Sequence, residues 1–340
     1  MKKPILYFIL LLFVGINSCQ KNDKETAPSN NANIISAEIT ENKEGIDILK
    51  EGVIDLPASS VLFRSNEEIK YPVTLGIDVV ISPNAKVISP LTEYTFKDEN
   101  GVKITIQSES GIKKDWTFRI AKGDLQIENS QFKIWRTVTN PNGKTYPEIG
   151  KDDNSAWATA NKGITILEDA NVVPYKENNV IMGAMITTEE VPVYTVGAGA
   201  LFTGVFDFDQ FDPNNPESAT IFGTPFFFKP KAMRITFKYT PGKKNTDRNG
   251  KELGYADHCD IYAIIENRKG EVKTQLAKAQ YNTTETIDDF VTKDLEFNYT
   301  NNSLNSTHIS IVMTSSAEGN DFKGAIGSQL IVRNIEMIYE

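Results

Sequence analysis

Cysteine and histidine are both scarce, with two of each in 340 residues. Two cysteines, Cys19 and Cys259, cannot build a disulfide framework. His258 and His308 are too few for a histidine-rich metal centre, and any Ser-His-Asp triad would have to use one of them. No sequence repeat recurs at a period of about 20–50 residues, which argues against propellers and solenoids. Basic residues are outnumbered, 36 against 45 acidic ones, so the formal charge is −9 and the pI is near 5.0. Nucleic acid, a polyanion, is therefore not an expected partner. What is present is ordinary for a folded protein: 40% hydrophobic and 24% charged residues. That balance is neither disordered nor membrane-embedded, and the length exceeds one typical domain, so two domains are expected.

Lys2 and Lys3 precede an almost unbroken apolar run from Ile5 to Ile16, followed by Asn17-Ser18-Cys19. The run is shorter than the roughly 20 residues of a spanning helix, so residues 1–18 read as a secretory signal. A small residue directly before a cysteine, after such a run, resembles the bacterial lipobox. The resemblance implies cleavage before Cys19, acylation of Cys19 and permanent membrane attachment, each buried methylene contributing about 0.8 kcal/mol. Ordinary cleavage near Ser18 is the alternative, and it would leave an exported protein with an unpaired terminal thiol. From Gln20 to Asn33 the chain is polar and rich in Asn, with Pro28 and otherwise no apolar residue larger than alanine; residues 19–33 read as a tether. The cluster Lys21, Asp23, Lys24, Glu25 resembles the charged export signal of Bacteroidetes lipoproteins. It implies the outer membrane, with display at the cell surface favoured over a periplasm-facing position.

From Ile34 the pattern becomes short strands bounded by Pro, Gly, Asn and Asp. Val102–Ile106 and Asp115–Ile120 alternate cleanly, placing Ile104 and Ile106, or Trp116, Phe118 and Ile120, on one face. Residues 34–121 have the size and strand spacing of an immunoglobulin-like sandwich, without its Cys-Trp-Cys hallmark. Trp116 reads as core. Lys122-Gly123-Asp124 reads as a hinge. Beyond it, strands are expected at Ile164–Leu167, Val180–Ile186, Met233–Tyr239, Asp260–Glu266, Val272–Tyr281, Leu295–Tyr299, His308–Thr314 and Gln329–Tyr339, and no stretch between them keeps a 3.6-residue period for three turns. Eight or more strands with long loops over residues 128–340 point to a jelly-roll sandwich. The whole chain is thus expected to be all-β.

Seven phrases recur in order across this second region: Phe132 with Trp135, Trp157–Asn161, Gly199–Gly204, Phe222–Phe226, Phe237–Gly242, Asp260 with Tyr262, and Ser315–Ser328. Together they resemble the putative carbohydrate metabolism domain of Bacteroidetes lipoproteins. The resemblance implies a jelly roll akin to carbohydrate-binding modules, behind an immunoglobulin-like domain and a lipobox, with a carbohydrate ligand. Two positions depart from the family pattern: Lys133, and Arg333-Asn334, stand where acidic residues are usual. Lysine and arginine cannot ligate calcium. No metal and no cofactor are expected.

Sugar recognition needs aromatic faces for the apolar side of a pyranose and planar polar groups for its hydroxyls. Trp135, Trp157, Tyr239 and Tyr255 offer the first; Asn161, Asp257, Asp260, Asp321 and Lys323 offer the second. Trp157 with Asn161 is the leading pair, although Trp157 suits a buried strand start equally well and Trp135 suits core better than cleft. Asp257-His258-Cys259-Asp260 places four potential ligands in a row, but adjacent residues seldom converge on one ion. Cys259 reads as a buried thiol. Lys323-Gly324 leads towards a strand and so does not form a phosphate-binding loop. Among Asp257, Asp260, Glu318 and Asp321 no motif nominates a catalytic pair. A carbohydrate-binding lipoprotein is the leading expectation; a glycan hydrolase and a protein-binding adhesin are the alternatives.

Overall fold

The computed structural model describes residues 28–339 except 57–58, 92, 154, 193, 213 and 270–271. The expected signal, the lipidation site Cys19 and the first part of the tether lie outside the described residues. Those described form two hydrophobic cores, one drawn from Ala32 to Ile120 and the other from Ile127 to Met337. The all-β expectation holds, with strands packed as two successive sandwiches.

The first sandwich packs a three-stranded sheet (Ile34–Asn42, Val73–Ile81, Tyr94–Phe96) on a five-stranded one (Val53–Asp55, Ser60–Ser65, Lys113–Lys122, Val102–Gln107, Lys86–Val87). Period-two patterning puts Val73, Leu75 and Ile77 of one sheet against Ile104, Ile106, Trp116 and Phe118 of the other. Ser60–Ser65 runs parallel to Lys113–Lys122. Trp116 is buried as expected, and its indole N–H donates to the Ala32 carbonyl at 2.9 Å. That bond corrects the reading of residues 19–33 as tether throughout. Ala32 is buried in the core, the Asn33 amide donates to Ser82, and Ser29 bonds Ser110 and Glu109. Small and polar residues pack here because their backbone extends the edge of a sheet, which needs no large side chain.

The second sandwich has an eight-stranded sheet whose central order is Trp157–Thr159, Ala200–Phe206, His308–Thr314, Cys259–Lys269, Val272–Thr283 and Asn298–Tyr299. Facing it are Val172–Glu177, Val180–Thr187, Gln329–Ile338, Ala232–Thr240 and Ile287–Glu296. The chain passes between these sheets repeatedly, as a jelly roll does. Ile261, Ala263, Ile265, Ile309, Ile311 and Met313 of the larger sheet meet Ile235, Phe237, Leu330 and Val332 of the smaller.

Two expected strands differ. Ile164–Leu167 is not a strand: Asn161–Ile164 is a helical turn, closed by Thr165 N–H on Asn161 O and followed by further turns. The β-branched residues there cover a surface instead of entering a ladder, so tertiary position overrides propensity. The segment Leu295–Tyr299 begins earlier, at Ile287, and breaks at Phe297.

The sandwiches meet where the Arg64 guanidinium lies 4.7 Å from the Phe228 ring centroid. Gly123 sits beneath that pair; a Cβ there would come within 3.0 Å of the Phe228 ring and 3.3 Å of Arg64 Nε.

Trp116→Ala should destabilise the first sandwich by about 3–5 kcal/mol, through cavity formation and loss of the partner of the Ala32 carbonyl. Denaturant unfolding followed by a probe in that sandwich measures it, and a cost under about 1 kcal/mol would contradict the assigned packing.

Candidate binding cleft

Alternation along Cys259–Lys269 sends Ile261 and Ala263 into the core and Asp260 and Tyr262 to the opposite, outward face. Cross-strand register extends that face into rows. Phe202 pairs with Val312, Val312 with Tyr262, and Tyr262 with Gln280; beside them run Ala200, Thr314, Asp260 and Asn282. Phe202, Val312 and Tyr262, with Ala200, Thr314 and Asp260, floor a cleft of about 470 Å³. Its walls are the turn from Ala160 to Leu167, the Tyr194–Ala198 loop, the segment from Phe206 to Thr220, and the loop from Ser316 to Phe322.

Aromatic rings dominate the lining. Tyr194 stacks on Phe322 at 4.4 Å and 14°, Phe208 stacks on Phe211 at 5.7 Å, and Phe202 meets Phe222 edge-on at 5.3 Å. Polar groups are few and specific. The Asp260 carboxylate is held by Gln280 Nε2, 2.9 Å from both oxygens, and burial raises its pKa. Burial, with Asp260 and Glu217 adding their negative charge, pushes the Tyr262 phenol up to about 12, so it stays protonated and able to donate. Asn320 donates to Glu217 at 2.5 Å, joining two walls.

The wall bearing Asn320 and Phe322 is fixed from behind by Asp257, which is 3% exposed. Its carboxylate accepts from the Ser316 and Ser328 hydroxyls and from the Ala325 and His258 amides. Thr188 shares hydrogens with Ser315 and Ser316 in the same buried network.

The wall from Ala160 to Leu167 is fixed differently. Thr159 Oγ1 donates to Glu148 at 3.1 Å and accepts from the Asn161 amide at 3.1 Å. Glu148 pairs across its hairpin with Arg136, yet burial still pushes its carboxyl to about 7.

The site residues expected from sequence divide into three groups. Asp260 lines the cleft. Trp157 does not: it is 2% exposed, packs edge-on against Phe132 at 5.0 Å and donates its indole N–H to Glu128 O. Asn161 is fully buried, bonding Pro147 O, Val172 O and Val172 N, and Tyr239 is equally buried with its hydroxyl on Ser315 O. Trp135 packs against the core and bonds Phe132 O. These four are corrected from saccharide contacts to structural residues, because their polar atoms are already satisfied inside the sandwich. Asp257 is structural for the same reason. Tyr255, Asp321 and Lys323 are on the surface beside the cleft: Tyr255 bonds Glu318, and Lys323 pairs with Glu318 and Asp321. Trp157, Asp257 and Lys323 therefore do not share a pocket. Cys259 is buried and burial pushes its thiol to about 12, which leaves it unreactive. Among the described residues no cluster of three or more His, Cys, Asp or Glu is placed to hold a metal ion.

Residues 124–338 match the family model described as "Putative carbohydrate metabolism domain". A solved structure from Bacteroides thetaiotaomicron VPI-5482, titled a putative glycoside hydrolase, is 23% identical, covers 93% of this chain and 99% of its own, and superposes with a TM-score of 0.57. A second, from Bacteroides vulgatus ATCC 8482 and titled likewise, is 21% identical, covers 62% of this chain and 97% of its own, with a TM-score of 0.53. At these identities the likeness speaks for the fold. No curated protein matches.

Glu148 should make stability fall with rising pH. Below about 4.5 the carboxyl is protonated in both folded and unfolded chains; between there and about 7 only the folded chain keeps the proton, so each pH unit costs about 1.4 kcal/mol. Glu148→Gln should flatten that window in a pH series of thermal melts, and an unchanged slope would reject the assignment. Trp157→Ala should lower the melting temperature as a core deletion of about 3–5 kcal/mol does, by calorimetry.

Proposed function

The chain belongs to the putative carbohydrate metabolism domain family, and from that premise we propose that it binds a glycan segment in the cleft on the outward face of the larger sheet. One arrangement carries the reading: partly exposed aromatic rings and a short set of fixed polar groups share one concave surface. Pyranose rings present C–H faces to aromatic rings and vicinal hydroxyls to carboxylates and amides. Here Tyr194, Tyr262 and Phe322 supply faces, while Asp260, Glu217 and Asn320 supply acceptors and a donor whose orientations are set before any ligand arrives.

A hydrolytic reading has one specific observation behind it. Asp260 and Glu217 both bear on Tyr262, and Asp260 has the raised pKa that a general acid needs. Binding is favoured because Asp260 is tied by Gln280 at both oxygens and Glu217 by Asn320, roles that position a carboxylate rather than free it for proton transfer.

We place the protein in the cell envelope on Cys19, as an outer-membrane lipoprotein facing the cell surface, with the first sandwich spacing the cleft from the membrane. The signal run and the residue pattern at Ser18-Cys19 support this.

Calorimetry against a panel of neutral oligosaccharides, beside reducing-sugar release from the same panel, tests the reading. Tyr262→Ala and Asp260→Asn should each weaken binding at least about tenfold with the melting temperature held, and no sugar should be released. Release that depends on Asp260 would replace binding by hydrolysis. Cys19→Ala should move the protein from the membrane to the soluble fraction of fractionated cells; retention in the membrane would reject the lipid anchor.

A further inference from the structure

The smaller sheet of the second sandwich has its own outward face, and on it aromatic and charged side chains from four strands converge. Phe237 and Val332 point into the core, so their neighbours Lys238 and Arg333 point out. Tyr175 lies opposite Gly183 in register, a position whose backbone sits so close to Val332 O, 2.2 Å from where a Cβ would be, that no side chain fits beside the ring. Phe290 comes from Ile287–Glu296 at the far edge. The Tyr175 and Phe290 rings are 5.9 Å apart.

The charges are arranged unequally. Glu177 accepts from the Tyr175 hydroxyl at 2.9 Å and pairs with Arg333, whose guanidinium carbon stands 3.7 Å over Phe290. Arg333 is thereby neutralised and locked. Lys238 is not. Its ammonium lies 5.6 Å from the Tyr175 centroid and 5.2 Å from that of Phe290, between the two rings, with no hydrogen-bond or ion-pair partner among the described residues. Glu177, Arg333 and Lys238 together carry one surplus positive charge, part of it acting on Glu177, with Asp288 and Asp289 exposed further along the strand of Phe290.

We propose that this face is a second saccharide site, distinct from the cleft and selective for a uronate: Lys238 receives the sugar carboxylate and Tyr175 the C–H face of its ring. An ammonium offers three donors, and a carboxylate satisfies them with charge assistance that a neutral hydroxyl lacks. The C5 carboxylate of a uronic acid projects from the ring edge, so the ring can lie over an aromatic side chain while its charge reaches the neighbouring cation. Gly183, opposite Tyr175 in register, adds no side chain beside the ring. Asp288 and Asp289, exposed on the strand of Phe290, set a bound on how much negative charge the site accepts, favouring a single carboxylate over a densely sulfated chain.

The site is independent of the cleft, and the test separates them. Tri-galacturonate, the neutral tri-galactoside and inorganic sulfate are titrated into the full mature chain and into Lys238→Met, Lys238→Gln and Tyr262→Ala, with melting temperatures as the folding control. The expected result is tri-galacturonate binding that weakens at least about tenfold in both Lys238 variants, weakens with added salt, and is unchanged in Tyr262→Ala. Absence of tri-galacturonate binding, equal binding in the Lys238 variants, loss in Tyr262→Ala, or equal occupancy by sulfate alone would each overturn it. Failure of the neutral sugar to bind would instead count against the cleft.

Discussion

The buried carboxylate of Asp257 is the constraint on which the binding face depends. A charge removed from water is costly unless donors replace its hydration, and four do so here: the hydroxyls of Ser316 and Ser328 and the amides of Ala325 and His258. Three of the four belong to one glycine-punctuated loop. With the carboxylate holding both ends of the loop, its path carries Asn320 to Glu217 and Phe322 onto Tyr194. The backbone at Phe322 turns left-handed to complete it, with φ of 54°. Ser328 also accepts from the Gly242 amide, so the entrance of the segment 241–257 is tied to the same point as its end at Asp257.

Much of the architecture was legible because one face of each strand in the first sandwich is wet. Val73, Leu75 and Ile77, or Trp116, Phe118 and Ile120, stand out against polar neighbours. In the larger sheet of the second sandwich the central strand His308–Thr314 lacks that contrast. His308–Thr314 is buried on both sides through His308 to Met313, since the core covers one face and the cleft walls roof the other. Period two then disappears from the sequence, and with it the means of telling Val312 from Met313. Phe202 and Leu201 are equally apolar neighbours, yet one floors the cleft and the other fills the core. Trp157 and Asn161 misled for the opposite reason: the residue types that suit a sugar also suit a structural knot, and only the three-dimensional path shows their polar atoms already engaged. Asp260 was named for its carboxylate and for its place with Tyr262 in the family pattern, two residues that alternation along Cys259–Lys269 turns to the same outward face.

The two faces of the second sandwich solve different problems with the same material. On the larger sheet, loops rise around the outward rows and turn a flat surface into a concavity, where a few fixed acceptors sit among rings. On the smaller sheet, order comes from the Glu177–Arg333 pair and from the Arg333 guanidinium over the Phe290 ring. Enclosure favours shape selection; an open platform favours charge selection.

The junction at Gly123 bears on the whole molecule. Phe228 and Arg64 occupy the volume that any side chain at position 123 would need. A single methyl group there would oblige the Phe228 ring or the Arg64 side chain to give by a few tenths of an ångström, so a strain placed at position 123 would be felt by both sandwiches together, far from either outward sheet face.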